Sequence, residues 1–106
     1  MTTEFDKYQV KAMEYATAGA GTFAWACYAL GLLGEVGEVS EPIKKFVQYR
    51  RPLDRDTLAK ELGDVLWYVS ALATLLGVSL ADIAQGNLDK LEQRKRLNDL
   101  LARLRS

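Results

Sequence analysis

Histidine is absent from this 106-residue sequence, and cysteine occurs once, as Cys27. One cysteine cannot form an internal disulfide, and a chain without histidine cannot build a Cys/His zinc site. Ser-His-Asp triads, Cys-His pairs and histidine proton shuttles are excluded for the same reason. Any catalysis must therefore rely on carboxylates, amines, hydroxyls or a bound metal ion.

A net charge is also absent, because 14 basic residues balance 14 acidic ones. Non-specific nucleic-acid binders are normally strongly basic, so we expect no nucleic-acid partner. The charges are nevertheless segregated: residues 1–43 carry six acids and two bases, and residues 44–60 carry six bases and two acids. Residues 61–88 then carry three acids and no base, and residues 89–106 six bases and three acids. This alternation predicts an acidic centre beside basic rims.

A targeting segment is not visible either. Glu4 and Asp6 interrupt the basic-then-apolar plan of a signal peptide. The uncharged run 15–34 is long enough to span a bilayer, but it contains four glycines. We interpret this run as a buried helix, and we expect a cytoplasmic protein with no membrane partner.

The spacing of apolar residues is helical nearly throughout, which predicts an all-α fold and one domain over residues 1–106. We expect a bundle of four main helices with a central antiparallel hairpin. The helices are predicted over about 4–17, 22–49, 55–76 and 80–104.

Capping residues mark the ends of these helices. Thr22 and Asp54 are predicted to cap the second and third helices, and Ser79 opens a capping box before the fourth. Gly77 is expected to stop the third helix. Pro42 predicts a kink or a restart within the second.

The uncharged run from Val65 to Ala81 is expected to be buried on several sides, and leucines between Leu88 and Leu104 give the last helix a second packing stripe. A chain of 106 residues has little room to enclose both apolar surfaces alone. We therefore expect oligomerisation to complete the bundle.

Two pairs of carboxylates are candidates for chemistry: Glu35 with Glu38, and Glu61 with Asp64. The i, i+3 spacing puts both acids of a pair on one helix face, where like charges repel by roughly 0.2–0.5 kcal/mol. The pairs mirror each other about the Arg50-Arg51-Pro52 turn, so an antiparallel hairpin would set all four acids at one level.

Four converging carboxylates without histidine or thiolate suit a hard cation, Mg²⁺ or alternatively Mn²⁺. Magnesium shares its coordination shell with substrate phosphates, which indicates phosphoryl or pyrophosphoryl chemistry. One such pair alone would be read as a solvated helix surface. Glu41 is either a fifth ligand or, as we favour, solvated.

Three separated motifs carry a resemblance to a known family. Residues 31–41 read GLLGEVGEVSE, residues 60–68 read KELGDVLWY, and residues 87–94 read NLDKLEQR. They resemble, in the right order, the E-x-x-E, E-x-x-D and N-x-x-K-L-x-x-R motifs of the MazG-like nucleoside triphosphate pyrophosphohydrolases. The resemblance covers most of residues 22–95.

The resemblance implies an all-α dimer or dimer of dimers that hydrolyses a (deoxy)nucleoside triphosphate to the monophosphate and pyrophosphate with Mg²⁺. Carried over to this sequence, it assigns the metal to Glu35, Glu38, Glu61 and Asp64. Glu35 would also orient the attacking water, with Glu38 as the alternative.

The candidate substrate contacts are Lys45, Tyr68, Asn87, Lys90 and Arg94. Lys45 lies seven residues after Glu38 on the same helix face, and Asn87, Lys90 and Arg94 share one side of the last helix, where they either contact phosphate or form a basic surface. Tyr68, one turn after Asp64, either packs against the sugar or base or lines the core. Lysine offers phosphate a point charge and arginine a planar fork. The chain departs from the family after Arg94, where a helical segment replaces the Gly-rich tail that members often have. This departure leaves open how the nucleotide is covered and how subunits associate.

Two further interpretations remain at this stage. One is a non-catalytic helical module for dimerisation or regulation that uses the leucine-bearing helix. The other keeps the fold but has a narrow specificity for one nucleotide, such as dUTP, dCTP or a purine deoxynucleotide.

Overall fold

The computed structural model describes residues 3–106 of the chain. Over these residues it contains four α-helices and no β-strand, which confirms the all-α prediction. The helices are α1 (Glu4–Met13), α2 (Thr22–Gln48), α3 (Arg55–Leu76) and α4 (Leu80–Arg105).

The centre of the fold is the hairpin of α2 and α3, the two helices that pack most extensively on each other. Its buried core is Ala24, Tyr28 and Ala71, with the half-buried Trp67 and Tyr68 packed against it. The rings of Tyr28 and Trp67 meet edge to face, with centroids 5.7 Å apart. Small residues at the helix crossing therefore let aromatic rings fill the space between the helices.

Helix α1 packs at the end of the hairpin away from the α2–α3 turn, and two side chains hold it there: Trp67 of α3 and Gln9 of α1. The Trp67 indole Nε1 donates to the Ala12 carbonyl at 3.0 Å. Gln9 donates to Thr74 Oγ1 and to the Val78 carbonyl, and it accepts from the Leu80 backbone N–H at 2.7 Å. Gln9 thus joins α1 to the end of α3 and the start of α4.

Three of the predicted helix boundaries are confirmed. Asp54 caps α3 by accepting from the Thr57 backbone N–H at 3.1 Å. Ser79 caps α4 by accepting from the Asp82 backbone N–H at 3.0 Å. Gly77 ends α3 in the left-handed conformation, with φ 79°, which glycine adopts at no steric cost.

The start of α2 differs from the prediction. The capping position is Gly21, at φ 89°, and Thr22 is the first helical residue, so the cap predicted at Thr22 is wrong. A threonine at the capping position would be strained at the positive φ with which the chain enters α2. Helix α1 also ends at Met13 and not near 17, and α2 continues through the buried Pro42 without a restart.

Helix α4 leaves the hairpin sharply. Its axis is bent by 100° from that of α3, and every residue from 85 to 106 is exposed. The leucine stripe predicted on this helix is therefore uncovered within one chain. The run 65–81 is only partly enclosed, with full burial at Ser70, Ala71, Ala73 and Leu80.

Among the described residues, no helix on its own is both long and apolar enough to cross a membrane. Helices α3 and α4 meet that criterion only when taken together as a bent pair, by length and composition alone.

Candidate functional site

An acidic cluster lies where α2 and α3 face each other in the middle of the hairpin. Glu35 of α2 and Glu61 and Asp64 of α3 each contribute a carboxylate oxygen, and these oxygens lie within 4.8 Å of one another. Glu35 and Glu61 are half-buried, and Asp64 is exposed. The antiparallel hairpin thus brings together acids that are almost thirty positions apart in the sequence.

Glu35 is the most enclosed member of this cluster. Its Oε2 atom is buried and has no hydrogen-bond partner. The pKa of Glu35 is raised, first by burial, then by the adjacent side chain of Glu61 and by the negative charges of Asp64, Glu61 and Glu38. Such an oxygen is costly unless a cation or a proton compensates it.

The cluster's donor set fits a hard divalent cation. All three donors are carboxylates, and the enclosed Oε2 of Glu35 is open for a ligand bond that the protein itself does not supply. Oxygen-only coordination is what Mg²⁺ and Mn²⁺ prefer, whereas a structural zinc site would need nitrogen or sulfur ligands.

Glu38 lies one turn further along α2 and is exposed. It is not among the three acids whose oxygens converge, but its charge acts on Glu35. It lines a cavity of about 550 Å³ together with Glu61, so this cavity opens directly beside the acidic cluster. Glu41 lines the same cavity and is exposed.

Of the five predicted substrate contacts, Lys45 lies in this cavity. Tyr68 follows Asp64 by one turn and packs closely against α2 at Gly31, where an added Cβ would overlap its ring. Its ring also meets Trp67 edge to face at 5.1 Å. Tyr68 is therefore a half-buried wall of the hairpin next to the acidic cluster.

The other three predicted contacts, Asn87, Lys90 and Arg94, are exposed on α4. None of them lines the cavity, and α4 packs on α1 and α3 only, near its own start. Within one chain the structure does not bring these side chains to the acidic cluster.

Two residues near the site were not singled out from the sequence. The pKa of Tyr8, on α1, is raised by burial and by the negative charge of Asp64, so α1 borders the cluster. No sequence signal distinguishes Tyr8 from the other aromatic residues of α1 and its flanks. Arg51 lines the cavity, and only the basic run 44–60 hinted at it.

Comparison with known proteins gives two matches. A family model described as "MazG nucleotide pyrophosphohydrolase domain" matches residues 25–97, a range that includes the whole acidic cluster. The chain is also 39% identical over 99 residues to the Gene 37 protein of Mycobacterium phage L5, covering 85% of this chain and 87% of that protein. No solved structure matches.

Proposed function

Because this chain belongs to the MazG nucleotide pyrophosphohydrolase family, we propose that it hydrolyses a nucleoside triphosphate to the monophosphate and pyrophosphate with a divalent cation. The observation that carries the proposal is the enclosed, unpartnered Oε2 of Glu35 facing the carboxylates of Glu61 and Asp64. An apolar hairpin retains such a group at a cost, and a cation shared with substrate phosphates offsets that cost.

The proposed reaction cleaves the linkage between the α and β phosphates. A bond forms between the water oxygen and the α phosphorus. The bond from that phosphorus to the bridging oxygen breaks, and this oxygen leaves with its electron pair as part of pyrophosphate. The proton lost by the water passes to a carboxylate and then to solvent.

Glu35, Glu61 and Asp64 would hold the cation, with Glu38 contributing from the cavity side. Mg²⁺ is the expected ion and Mn²⁺ a substitute; when bound, such an ion supplies positive charge to the phosphates and lowers the pKa of a bound water. Glu35 is our candidate for orienting the attacking water, because its carboxylate lies within the acidic cluster, with Glu38 the alternative.

The cavity beside the cluster supports a phosphate-bearing substrate, with Lys45 as one of its cations. The exposure of Asn87, Lys90 and Arg94 supports a role for them in a homodimer or homotetramer, where α4 of one subunit reaches a neighbour. We further propose that the substrate is a free nucleotide and that its hydrolysis controls the nucleotide pool.

The test measures pyrophosphate released from each ribo- and deoxyribonucleoside triphosphate with Mg²⁺. Asp64→Asn and Glu38→Gln should each lower turnover by about 100-fold or more, since a metal-site carboxylate is lost. Glu14→Gln is the matched control, because Glu14 pairs with Lys11 on the surface of α1, and it should keep wild-type turnover. Orthophosphate as the product would contradict cleavage between the α and β phosphates.

The exposed leucine face of α4 favours one competing function, a non-catalytic helical module. For such a module, Glu38→Gln and Asp64→Asn should leave function unchanged and raise stability by relieving like-charge repulsion. Absence of turnover on every nucleotide would favour it. A single active nucleotide in the same panel, such as dUTP, dCTP or a purine deoxynucleotide, would instead establish narrow specificity.

A further inference from the structure

The cavity next to the acidic cluster has a basic wall that the metal-binding role does not explain. It lies in the groove between α2 and α3 where these helices approach their connecting turn. Glu38 and Glu61 form the side towards the cluster, and Lys45 and Arg51 lie at the side towards the turn. One ligand in this cavity would therefore meet Glu38 and Glu61 at one end, and Lys45 and Arg51, together with Asp54, at the other.

The turn itself places Arg51 beside Lys45. Helix α2 ends at Gln48 with Tyr49 as its C-cap, and Arg50 takes a left-handed backbone angle, φ 52°, which reverses the chain. The Arg51 backbone N–H then donates to the Lys45 carbonyl at 3.4 Å. The Arg51 guanidinium carbon lies 6.0 Å from the centre of the Tyr49 ring, at the outer limit of a cation–π contact.

Neither Lys45 nor Arg51 forms an ion pair with an acidic side chain of the described residues. In the described part of the chain, the ion pairs join residues within α1 or within α4. Four acidic side chains, Glu38, Glu41, Asp54 and Glu61, line the same cavity. Asp54 accepts the capping hydrogen bond of α3, and its charge interacts with that of Lys45 without an ion-pair contact. Two unpaired cations in a concave site are the feature expected of a site for a polyanion.

We propose that Arg51, together with Lys45, binds the β and γ phosphates of the substrate and holds the pyrophosphate as it leaves. This inference rests on the proposed function, because it assumes a nucleoside triphosphate bridged to the acidic cluster. It orients that substrate along the hairpin, with the terminal phosphates towards the α2–α3 turn and the nucleoside towards Tyr68.

The spacing along α2 is consistent with this orientation. Glu38 and Lys45 are seven residues apart on one helix face, about 10 Å along the axis. The long side chains of Lys45 and Arg51 shorten this gap from the turn side. Arginine also presents a planar fork that can donate two parallel hydrogen bonds to phosphate oxygens.

The direct test measures the binding of inorganic pyrophosphate with Mg²⁺ to the full chain by calorimetry. Arg51→Gln should weaken binding by about 10- to 100-fold, because charge-assisted hydrogen bonds are lost. Arg50→Asn is the matched control: it removes the neighbouring positive charge, does not line the cavity, and suits a left-handed backbone. It should bind within about twofold of wild type.

A second variant distinguishes the contribution of the planar guanidinium of Arg51 from that of its positive charge. Arg51→Lys keeps the positive charge and should restore part of the binding, and circular dichroism should show all variants with wild-type helix content. Equal binding by Arg51→Gln and wild type would overturn the proposal. An equal loss in Arg50→Asn and Arg51→Gln would overturn it as well, because net charge alone would then explain the effect.

Kinetics distinguish this inference from the proposed function. If wild type releases pyrophosphate, Arg51→Gln should lower kcat/KM by about 10- to 100-fold and weaken product inhibition by pyrophosphate in parallel. Turnover that does not depend on Arg51 would overturn the inference and leave the enzyme intact. Arg51-dependent pyrophosphate binding without turnover would support the anion site and contradict the enzyme.

Discussion

Glu35 is the residue of the acidic cluster whose ionised form is disfavoured by both burial and neighbouring charges. Its Oε2 is enclosed without a donor, and three other acids surround it. Burial and like charges both favour the neutral acid over the carboxylate, so they raise the pKa of Glu35 above its ordinary value of 4.5. A cation reverses this preference, because it stabilises the ionised form.

The metal-free protein should therefore lose stability as the pH rises. A raised pKa means that folded Glu35 holds its proton more tightly than unfolded Glu35, so its ionisation destabilises the fold from about pH 4.5 upward. The lowered pKa values of Asp6 and Asp54 act in the opposite direction and below pH 3.8, outside this window. Thermal midpoints in EDTA between pH 4.5 and 8 should fall for wild type and change less for Glu35→Gln.

Added Mg²⁺ provides the control for this prediction. It should raise the midpoint of wild type at pH 7–8, because an ion that binds only the folded state stabilises it by mass action. Glu35→Gln should gain little from the ion. An unchanged pH dependence in Glu35→Gln would show that Glu35 is not the group responsible.

Helix α2 approaches α3 most closely at Gly31, where the ring of Tyr68 occupies the space that a side chain would need. The two glycines Gly31 and Gly34 therefore have different roles despite sharing one helix. Gly34 has nothing within 4 Å of its missing Cβ. Glycine costs a helix about 1 kcal/mol relative to alanine, and of these two glycines only Gly31 has a packed neighbour that accounts for it.

Gly31→Ala should destabilise the protein although alanine is the better helix former. Displacing the Tyr68 ring costs about 1–3 kcal/mol, which outweighs the gain of about 1 kcal/mol in helix propensity. Gly34→Ala, the matched control, should be neutral or stabilising by up to about 1 kcal/mol. Urea unfolding followed by circular dichroism measures both, and equal stability of the two variants would contradict the close packing seen at Gly31.

The hairpin was predictable because its signals are local. The side-chain caps Asp54 and Ser79, the stop at Gly77 and the mirrored acid pairs all depend on spacing along one helix or across one turn. The capping position of α2 at Gly21 was not predicted, because the neighbouring Thr22 gives the stronger capping signal in the sequence.

The path of α4 could not be predicted in the same way. Its direction depends on Gln9, whose three hydrogen bonds join segments about 70 positions apart. The difference between Glu35 and Glu38 was also hidden, since both share one helix face and only packing against α3 decides which is enclosed. Side-chain burial is a property of the assembled helices and not of their spacing.

The whole molecule exposes more surface than its size requires. Its accessible surface is 8261 Å², whereas a compact monomer of this mass exposes about 5,900 Å². Its radius of gyration is 18.0 Å, against about 13 Å for a compact chain of this length. An excess of about 2,400 Å² exceeds the roughly 800 Å² that each partner buries in a standard interface.

Part of this surface is apolar and lies on the projecting half of α4. At 100° per residue, Leu97, Leu101 and Leu104 share one face of the helix, and Leu88 and Leu91 lie on a different one. All five are exposed. A helix with two uncovered apolar faces can pack against more than one neighbour, which agrees with a dimer or tetramer.

We therefore expect the protein to sediment at a multiple of its 11.8 kDa chain mass, as a dimer or tetramer, at micromolar concentration. Its thermal midpoint should rise with protein concentration, because association stabilises only the folded chain. Leu97→Glu with Leu101→Glu should lower the sedimenting mass, since each places a charge in an apolar interface. Arg103→Glu, on a polar side of the same segment, should retain the wild-type mass. A concentration-independent mass of one chain in the wild type would contradict this assembly, and the excess surface would then be simply solvated.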